Sequence, residues 1–456
     1  MGCLRHYPLG RGGRGDSGLS EARCDARGNM RVIRGLLIAI AALGVIVGGY
    51  AWRSSFAPID RPQASSFPVE NVKAGAVLAA IGNCATCHTR DGGAAYAGGR
   101  PIVTPFGTIH ATNITPDPST GIGGWSEPAF IRAVREGVSR DGRHLYPAFP
   151  YDHMAKMAES DIKNVYAFLM TRRAQVSASP ANELAFPFNI RSLVAGWKLF
   201  FLDRGGFTQD ASKTVEWNRG AYLVEGLAHC GSCHTPRNVL GAEDKSRAYA
   251  GADVQGWTAP ALGATSVAAV PWTGERLAEY LGKGRSPQHG VAAGPMADVI
   301  GNLAQVPDSD IKAMATYVAS LAGAATKERQ ERGARAIARA GGEGAVTRPA
   351  AAAAPGASVY AGACAGCHGE AGRQPLDPAL NLALSTTVRA ASPNNLVRVV
   401  LGGIGRTDNQ PGPHMPGFAN ALTDKQIGDL LEYVRANFTD RPVFAGLDVA
   451  IRKARQ

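Results

Sequence analysis

Three stretches decide how this chain is read: VLAAIGNCATCH at residues 77–88, AYLVEGLAHCGSCH at 221–234 and VYAGACAGCH at 359–368. Each is an apolar run of helical character that closes on Cys-x-x-Cys-His. Two thiols about one helical turn apart can reach the two vinyl groups along one edge of a haem and form thioethers. The His that follows then projects over the ring face and ligates the iron.

Two other chemistries use paired cysteines. A thioredoxin-like redox couple does not need the adjoining His, and structural zinc needs four ligands, usually from two neighbouring pairs. Here the pairs stand far apart and each carries one His. They use six of the eight cysteines; the other two, Cys3 and Cys24, precede the first apolar segment. That leaves no material for a disulfide framework in the later chain. Three haem c groups are therefore expected. Cys84 and Cys87, Cys230 and Cys233, and Cys364 and Cys367 would carry them, with His88, His234 and His368 on the irons.

Working outward, the chain repeats itself three times. After each motif comes a Gly/Pro-rich loop and a short helical patch: WSEPAFIRAVREG, WTGERLAEYLGKG and SPNNLVRVVLGG. Each unit then closes on a helix with one apolar face: ESDIKNVYAFLM, DSDIKAMATYVASL and TDKQIGDLLEYVRANF. Units this small are marginal as bare domains, and a large apolar cofactor would supply the missing core. The expected fold class is all-α: three tandem cytochrome c domains behind one N-terminal transmembrane helix. Their expected bounds are 67–176, 214–321 and 358–440, with linkers at 177–213 and 322–357 and a basic tail at 441–456. The first linker holds enough aromatic and aliphatic side chains to pack on a neighbour. The second reads as partly helical and then flexible, and the tail as a solvated helix end.

The sixth iron ligand of such a haem is usually a Met or a second His, and it belongs in the loop before the closing helix. Met415 stands there in the third unit, with His414 as the rival beside it, and Met296 occupies the same loop in the second. Met170 and Met314 lie within closing helices and read as core. The first unit departs from the pattern, because Phe149 falls where a Met is expected. His153 and Met154 are its candidates, with Met157 behind them, and the residues alone do not choose. Of the other histidines, His110 has a loop position suited to a haem propionate or to solvent, and His229 reads as packing beside the haem edge.

The formal charge of +11 does not point to nucleic acid. The excess sits before the first apolar run, around Lys327–Arg339 and in the tail, with no basic stripe interleaved with aromatics. Residues 35–52, GLLIAIAALGVIVGGYAW, carry no charge and have arginines on both sides. They read as an uncleaved anchor that keeps 1–34 cytoplasmic and sends the rest across the membrane. A cleaved signal peptide is the alternative, and Met30 makes 1–29 a candidate over-long start. No phosphate-binding loop, nucleophile elbow or further metal cluster is visible in the sequence.

GNCATCHT, PFGTIHATNITPD, GRHLYPAFPYDH, HCGSCHTPRN and MPGF together resemble the triple-haem cytochrome c subunits of membrane-bound bacterial dehydrogenases over about residues 67–440. PAFPYDH, with Phe149, and NELAFPFNIRSLVAGWKLFF look closer to the cytochrome partners of molybdenum hydroxylases of the aldehyde, isoquinoline and nicotinate types. The resemblance implies a catalytic dehydrogenase subunit as partner (molybdopterin, quinoprotein or flavin type) and ubiquinone as acceptor. It implies haem domains held on the periplasmic side of the inner membrane. The expected function is electron transfer to ubiquinone or the respiratory chain, with no turnover by the chain alone. The rivals are a stand-alone shuttle to a terminal oxidase and a peroxidase-like haem enzyme.

Overall fold

The computed structural model describes residues 32–38, 49, 52–341, 355–370, 374–405 and 414–456. Residues up to Arg53 form one unit and Ser54–Gln456 another. In the first, residues 32–38 are helical and Val32, Ile33, Leu36, Leu37 and Ile38 are exposed. Most of the anchor expected at 35–52 lies outside the described residues, as do Cys3, Cys24 and Met30. Among the described residues no helix is long and apolar enough to cross a membrane.

In Ser54–Gln456 the threefold repeat of the sequence becomes a threefold helix crossing. The opening helices Val69–Ile81, Val215–Tyr222 and Gly356–Ala363 pack on the closing helices Glu159–Met170, Asp308–Leu321 and Asp424–Phe438. Each crossing is closed by a glycine. A Cβ on Gly75 would lie 1.9 Å from Asn164 O, on Gly220 1.9 Å from Ala313 O, and on Gly356 2.1 Å from Asp429 O. Only hydrogen fits there, so backbone meets backbone and the cysteine pair of each unit is carried to a fixed place.

Local signals set the helix ends. Thr214, Thr273 and Thr423 each accept a hydrogen bond from the third backbone N–H beyond, and Thr423 forms a reciprocal capping box with Gln426. The middle helices Glu127–Glu136 and Gly274–Lys283 stop at Gly137 and Gly284, whose φ of 60° and 70° only glycine adopts easily.

The expectation of an all-α chain holds for the bulk of the molecule but not for its loops. Units one and two each carry an antiparallel hairpin after the Cys-x-x-Cys-His, Pro101–Thr104 with Gly107–His110 and Ala252–Val254 with Trp257–Ala259. Unit three has no such hairpin among its described residues. Two segments outside the expected unit bounds pack onto the units. Glu183–Leu184 adds a strand to the first hairpin, with Gly107 opposite Leu184. Helix Leu193–Phe201 then packs on unit one, where Lys198 Nζ donates to Glu136 O and Gly137 O at 2.7 and 2.6 Å. Much of 177–213 is thus part of unit one. Helix Leu447–Arg455 buries Leu447 and Ile451 against the middle and closing helices of unit three. Its alternation of apolar and basic residues hides a core face, so the third unit runs to the end of the described chain. Of the linker at 322–357, Lys327–Ala340 is helical as expected.

Units one and two share one hydrophobic core, in which Leu78, Phe130, Leu169, Leu223, Val224 and Met314 are all buried. Unit three has its own, around Tyr360, Val397, Ile427 and Leu431. Met170 and Met314 are core residues, as their place in the closing helices predicts.

Candidate functional site

Each Cys-x-x-Cys-His forms one turn of helix: Cys84–His88, Gly231–His234 and Ala365–His368. In all three the imidazole Nδ1 lies on a backbone carbonyl. His88 meets Thr112 O at 2.6 Å, His234 meets Pro260 O at 2.7 Å, and His368 meets Leu380 O at 2.8 Å. A carbonyl can only accept, so Nδ1 carries the proton and Nε2 keeps its lone pair free. Desolvation holds each imidazole below its usual pKa, which also favours the neutral ring. This is the arrangement a metal-ligating His requires, with its far nitrogen fixed by a hydrogen bond. Burial pushes the leading thiols Cys84 and Cys230 up to about 12 and Cys364 to about 11, so they stand as neutral thiols, not thiolates.

The first motif opens on a cavity of about 600 Å³. Cys84, Cys87 and His88 line it together with apolar Ile122, Phe130, Val134 and Leu169, and Arg140, Arg143 and Arg191 add cationic groups. His110 lines it too, and neither of its ring nitrogens makes a hydrogen bond; the nearest anion, Glu183 Oε1, is 3.5 Å away. Apolar walls, two thiols, a poised imidazole, nearby guanidinium groups and the unbonded ring nitrogens of His110 fit a haem with its propionates. Bound haem supplies one-electron iron chemistry, and the chain's part is to ligate, bury and orient it.

The sixth-ligand candidates separate. Met154 is buried and lines the first cavity, as does Met157. His153 does not line it: its Nδ1 lies on Glu225 O at 2.9 Å and its Nε2 on Glu243 Oε1 at 2.6 Å, both in unit two. Both ring nitrogens of His153 are thus engaged across the junction, away from the first cavity, where Met154 stands. Adjacent helical residues point about 100° apart, so one of His153 and Met154 faces the cavity and the other the neighbour. Met296 stands in helix Pro295–Leu303, half-buried. Met415 packs on the same core as Cys364, and its carbonyl accepts from Ile404 N at 3.0 Å. Its rival His414 is exposed, with Nδ1 on Ile404 O at 2.9 Å.

Sequence reasoning missed several supporting residues. The carbonyls of Thr112, Pro260 and Leu380 carry no side-chain signal at all. The glycines of the crossings had one: Gly75, Gly220 and Gly356 each stand roughly two to three helical turns before their first cysteine, and superposing the repeats would have found them. Glu225 was also missed. It accepts from Tyr249 Oη at 2.7 Å and Tyr317 Oη at 2.6 Å, and Lys156 Nζ of unit one lies 3.3 Å from its other oxygen. His229 belongs to the second motif's approach yet lines the first cavity, with Nδ1 on Leu227 O at 2.8 Å.

A fold of paired helices around Cys-x-x-Cys-His turns defines a cytochrome c. The cytochrome c family model matches residues 72–173 and 353–437. A nicotinate dehydrogenase subunit of Pseudomonas putida is 45% identical over 410 residues, 89% of this chain and 34% of that protein. This chain therefore spans about a third of that relative's length. The fructose dehydrogenase cytochrome subunit of Gluconobacter japonicus is 36% identical, with 86% of this chain and 84% of that protein covered. The gluconate 2-dehydrogenase cytochrome c subunit of Pantoea cypripedii is also 36% identical, covering 84% and 88%. The chain belongs to this family of dehydrogenase cytochrome c subunits, proteins with covalently bound haem c that transfer electrons.

Proposed function

We propose that the chain carries three haem c groups and passes electrons from the catalytic subunit of a periplasmic dehydrogenase to ubiquinone or the respiratory chain. Thioethers form on Cys84 and Cys87, Cys230 and Cys233, and Cys364 and Cys367. His88, His234 and His368 ligate the irons, and Met154, Met296 and Met415 supply the sixth ligands. The observation that carries this reading is the threefold recurrence of an imidazole whose Nδ1 is tied to a carbonyl and whose Nε2 is free. The resemblance of PAFPYDH and NELAFPFNIRSLVAGWKLFF to the cytochrome partners of molybdenum hydroxylases of the nicotinate type, together with the likeness to a nicotinate dehydrogenase subunit, favours a catalytic partner of that type over quinoprotein and flavin types. The apolar segment 35–52 would hold the chain in the inner membrane with its haem units in the periplasm.

The test is gentle detergent extraction of the tagged full chain from its native membranes, with haem counted by haemochrome absorbance and partners identified by mass spectrometry. Three haems per chain and a stoichiometric large subunit are expected. Fewer than three haems would overturn the cofactor assignment. A chain that comes alone, or with oxidase subunits, would replace the dehydrogenase reading with that of a stand-alone shuttle.

A further inference from the structure

Across the junction of units one and two, each attachment motif is held by the element that precedes the other unit's closing helix. His153, in helix Tyr151–Met154, reaches unit two and bonds Glu225 O, just before the second motif, and Glu243. Its ring lies so close to the second motif that a Cβ on Gly231 would stand 3.0 Å from His153 Cε1 and 3.1 Å from Glu243 Oε2. This accounts for glycine after the first cysteine of that motif, where Ala85 and Ala365 stand in the other two.

The contact is returned. Asn302, in helix Pro295–Leu303 beyond Met296, donates from Nδ2 to Thr86 Oγ1 at 2.8 Å and to Asn83 Oδ1. Thr86 lies between the cysteines of the first motif, and Asn83 immediately precedes it. Arg100 and Arg237 complete the likeness: Arg100 donates to Thr86 O and Arg237 to Ser232 O, both at 2.9 Å. Arg100 also meets Asp298 of unit two at 3.5 Å. The approaches to the two motifs are near neighbours: a Cβ on Gly82, just before the first motif, would lie 2.8 Å from Leu227 Cδ1, just before the second. Unit three makes no such exchange among the described residues. It meets unit two through Asn395 and Arg398 on the hairpin, through Arg285–Asp377, and through a small apolar cluster around Ala269 and Leu384.

We propose that His153 and Asn302 are positioning residues that hold the first and second attachment motifs against each other, so that haems bound there would form one closely coupled redox pair to which a third haem would be joined separately. His153 acts from beside Met154 and Asn302 from helix Pro295–Leu303, which carries Met296, so each ties the segment of one unit's candidate sixth ligand to the other unit's attachment motif. Bound haems would supply one-electron exchange there, one being oxidised as the other is reduced. The inference rests on haem being bound at both motifs.

The experiment uses the full chain purified with its haems, as wild type, His153→Phe, Asn302→Leu and Gly231→Ala, with haem count and helical content checked first. Spectroelectrochemical titration gives the midpoint potentials, and pulse radiolysis gives the rate of haem-to-haem equilibration. His153→Phe leaves the Glu243 carboxylate without its imidazole beside the second motif, which favours the ferric state there. The equilibrium constant for sharing an electron within the pair is expected to change by about tenfold, or ~59 mV for a one-electron couple. Equilibration within the pair should slow. Asn302→Leu should slow equilibration likewise, and the potential of haem three should not move in either variant. Gly231→Ala should perturb the pair in the wild-type background and perturb it less when combined with His153→Ala, which removes the nearer of the two contacts at that Cβ. Unchanged potentials and rates in folded variants with three haems would overturn the proposal. A wild-type chain lacking a haem or a dehydrogenase partner would instead defeat the broader reading of a three-haem dehydrogenase cytochrome.

Discussion

The junction of units one and two and the junction of units two and three join similar modules by different physics. The first is a continuous apolar core with a polar cluster beside it: Glu225, receiving Tyr249, Tyr317 and Lys156, and Glu243 with His153. The second is mostly hydrogen bonds at a hairpin, where Asn395 pairs with both backbone groups of Thr258 at 2.7 Å and Arg398 Nε donates to Gly256 O at 2.7 Å. Buried apolar area gives a junction that opens only with the folds it joins, whereas a few half-exposed hydrogen bonds contribute little net free energy each. Repetition in sequence therefore does not imply equal independence. The first two units should unfold together and the third alone.

The largest expected effect comes from the helix crossings. Gly220→Ala places a methyl against Ala313 O, where backbone cannot yield cheaply, and should cost on the order of 4 kcal/mol. Thermal unfolding followed by circular dichroism should fall steeply, and proteolysis should release peptides from units one and two together while unit three stays resistant. Gly356→Ala makes the matching change in unit three and should leave the first two protected. If Gly220→Ala exposed unit two without unit one, the shared-core account would be broken.

Glu225→Gln tests the polar half of the same junction. It removes the charge on which two tyrosine hydroxyls and Lys156 converge, and should lower stability by about 2 kcal/mol in urea titrations. Burial works to raise this carboxyl, but the Tyr317 and Tyr249 hydroxyls and Lys156 outweigh it and hold Glu225 below its usual value of 4.5. A carboxylate with a depressed folded pKa stabilises above its unfolded pKa and loses that contribution as pH falls through the folded one. The gap between wild type and variant should therefore be full near neutrality and close as pH drops below about 4.5. A gap that stayed constant into acid would mean that the charge contributes nothing at the junction.

The smallest effect is expected at the other junction. Arg398→Ala removes one charged donor from Gly256 O and should cost about 1 kcal/mol. Hydrogen exchange should speed up at the hairpin around Trp257–Ala259 while amides of the opening and closing helices of units one and two keep their protection. Equal acceleration in both places would erase the contrast between the junctions.

Much of this molecule was legible in its residues, because its chemistry is local. Thiol spacing and an adjoining His are fixed within five residues, and the 3.6-residue period of the closing helices is a property of single segments. The helical Cys-x-x-Cys-His turns, the repeated helix pairs and the core roles of Met170 and Met314 followed from such signals. The tail, read as a solvated helix end, was less legible, because whether an amphipathic face meets solvent or a neighbour depends on what folds beside it. Leu447 and Ile451 read the same either way until the third unit is assembled.

The choice between His153 and Met154 was of the same kind. Both residues can ligate iron, they are adjacent, and nothing local ranks them. Only the tertiary structure, by setting Glu225 and Glu243 against the imidazole, turns His153 toward unit two and Met154 toward the cavity. What the sequence determined by itself was which groups can bond to haem, since that chemistry resides in side chains and their spacing. What only the tertiary structure decided was which partner each group meets, since that depends on close packing between segments far apart in the chain.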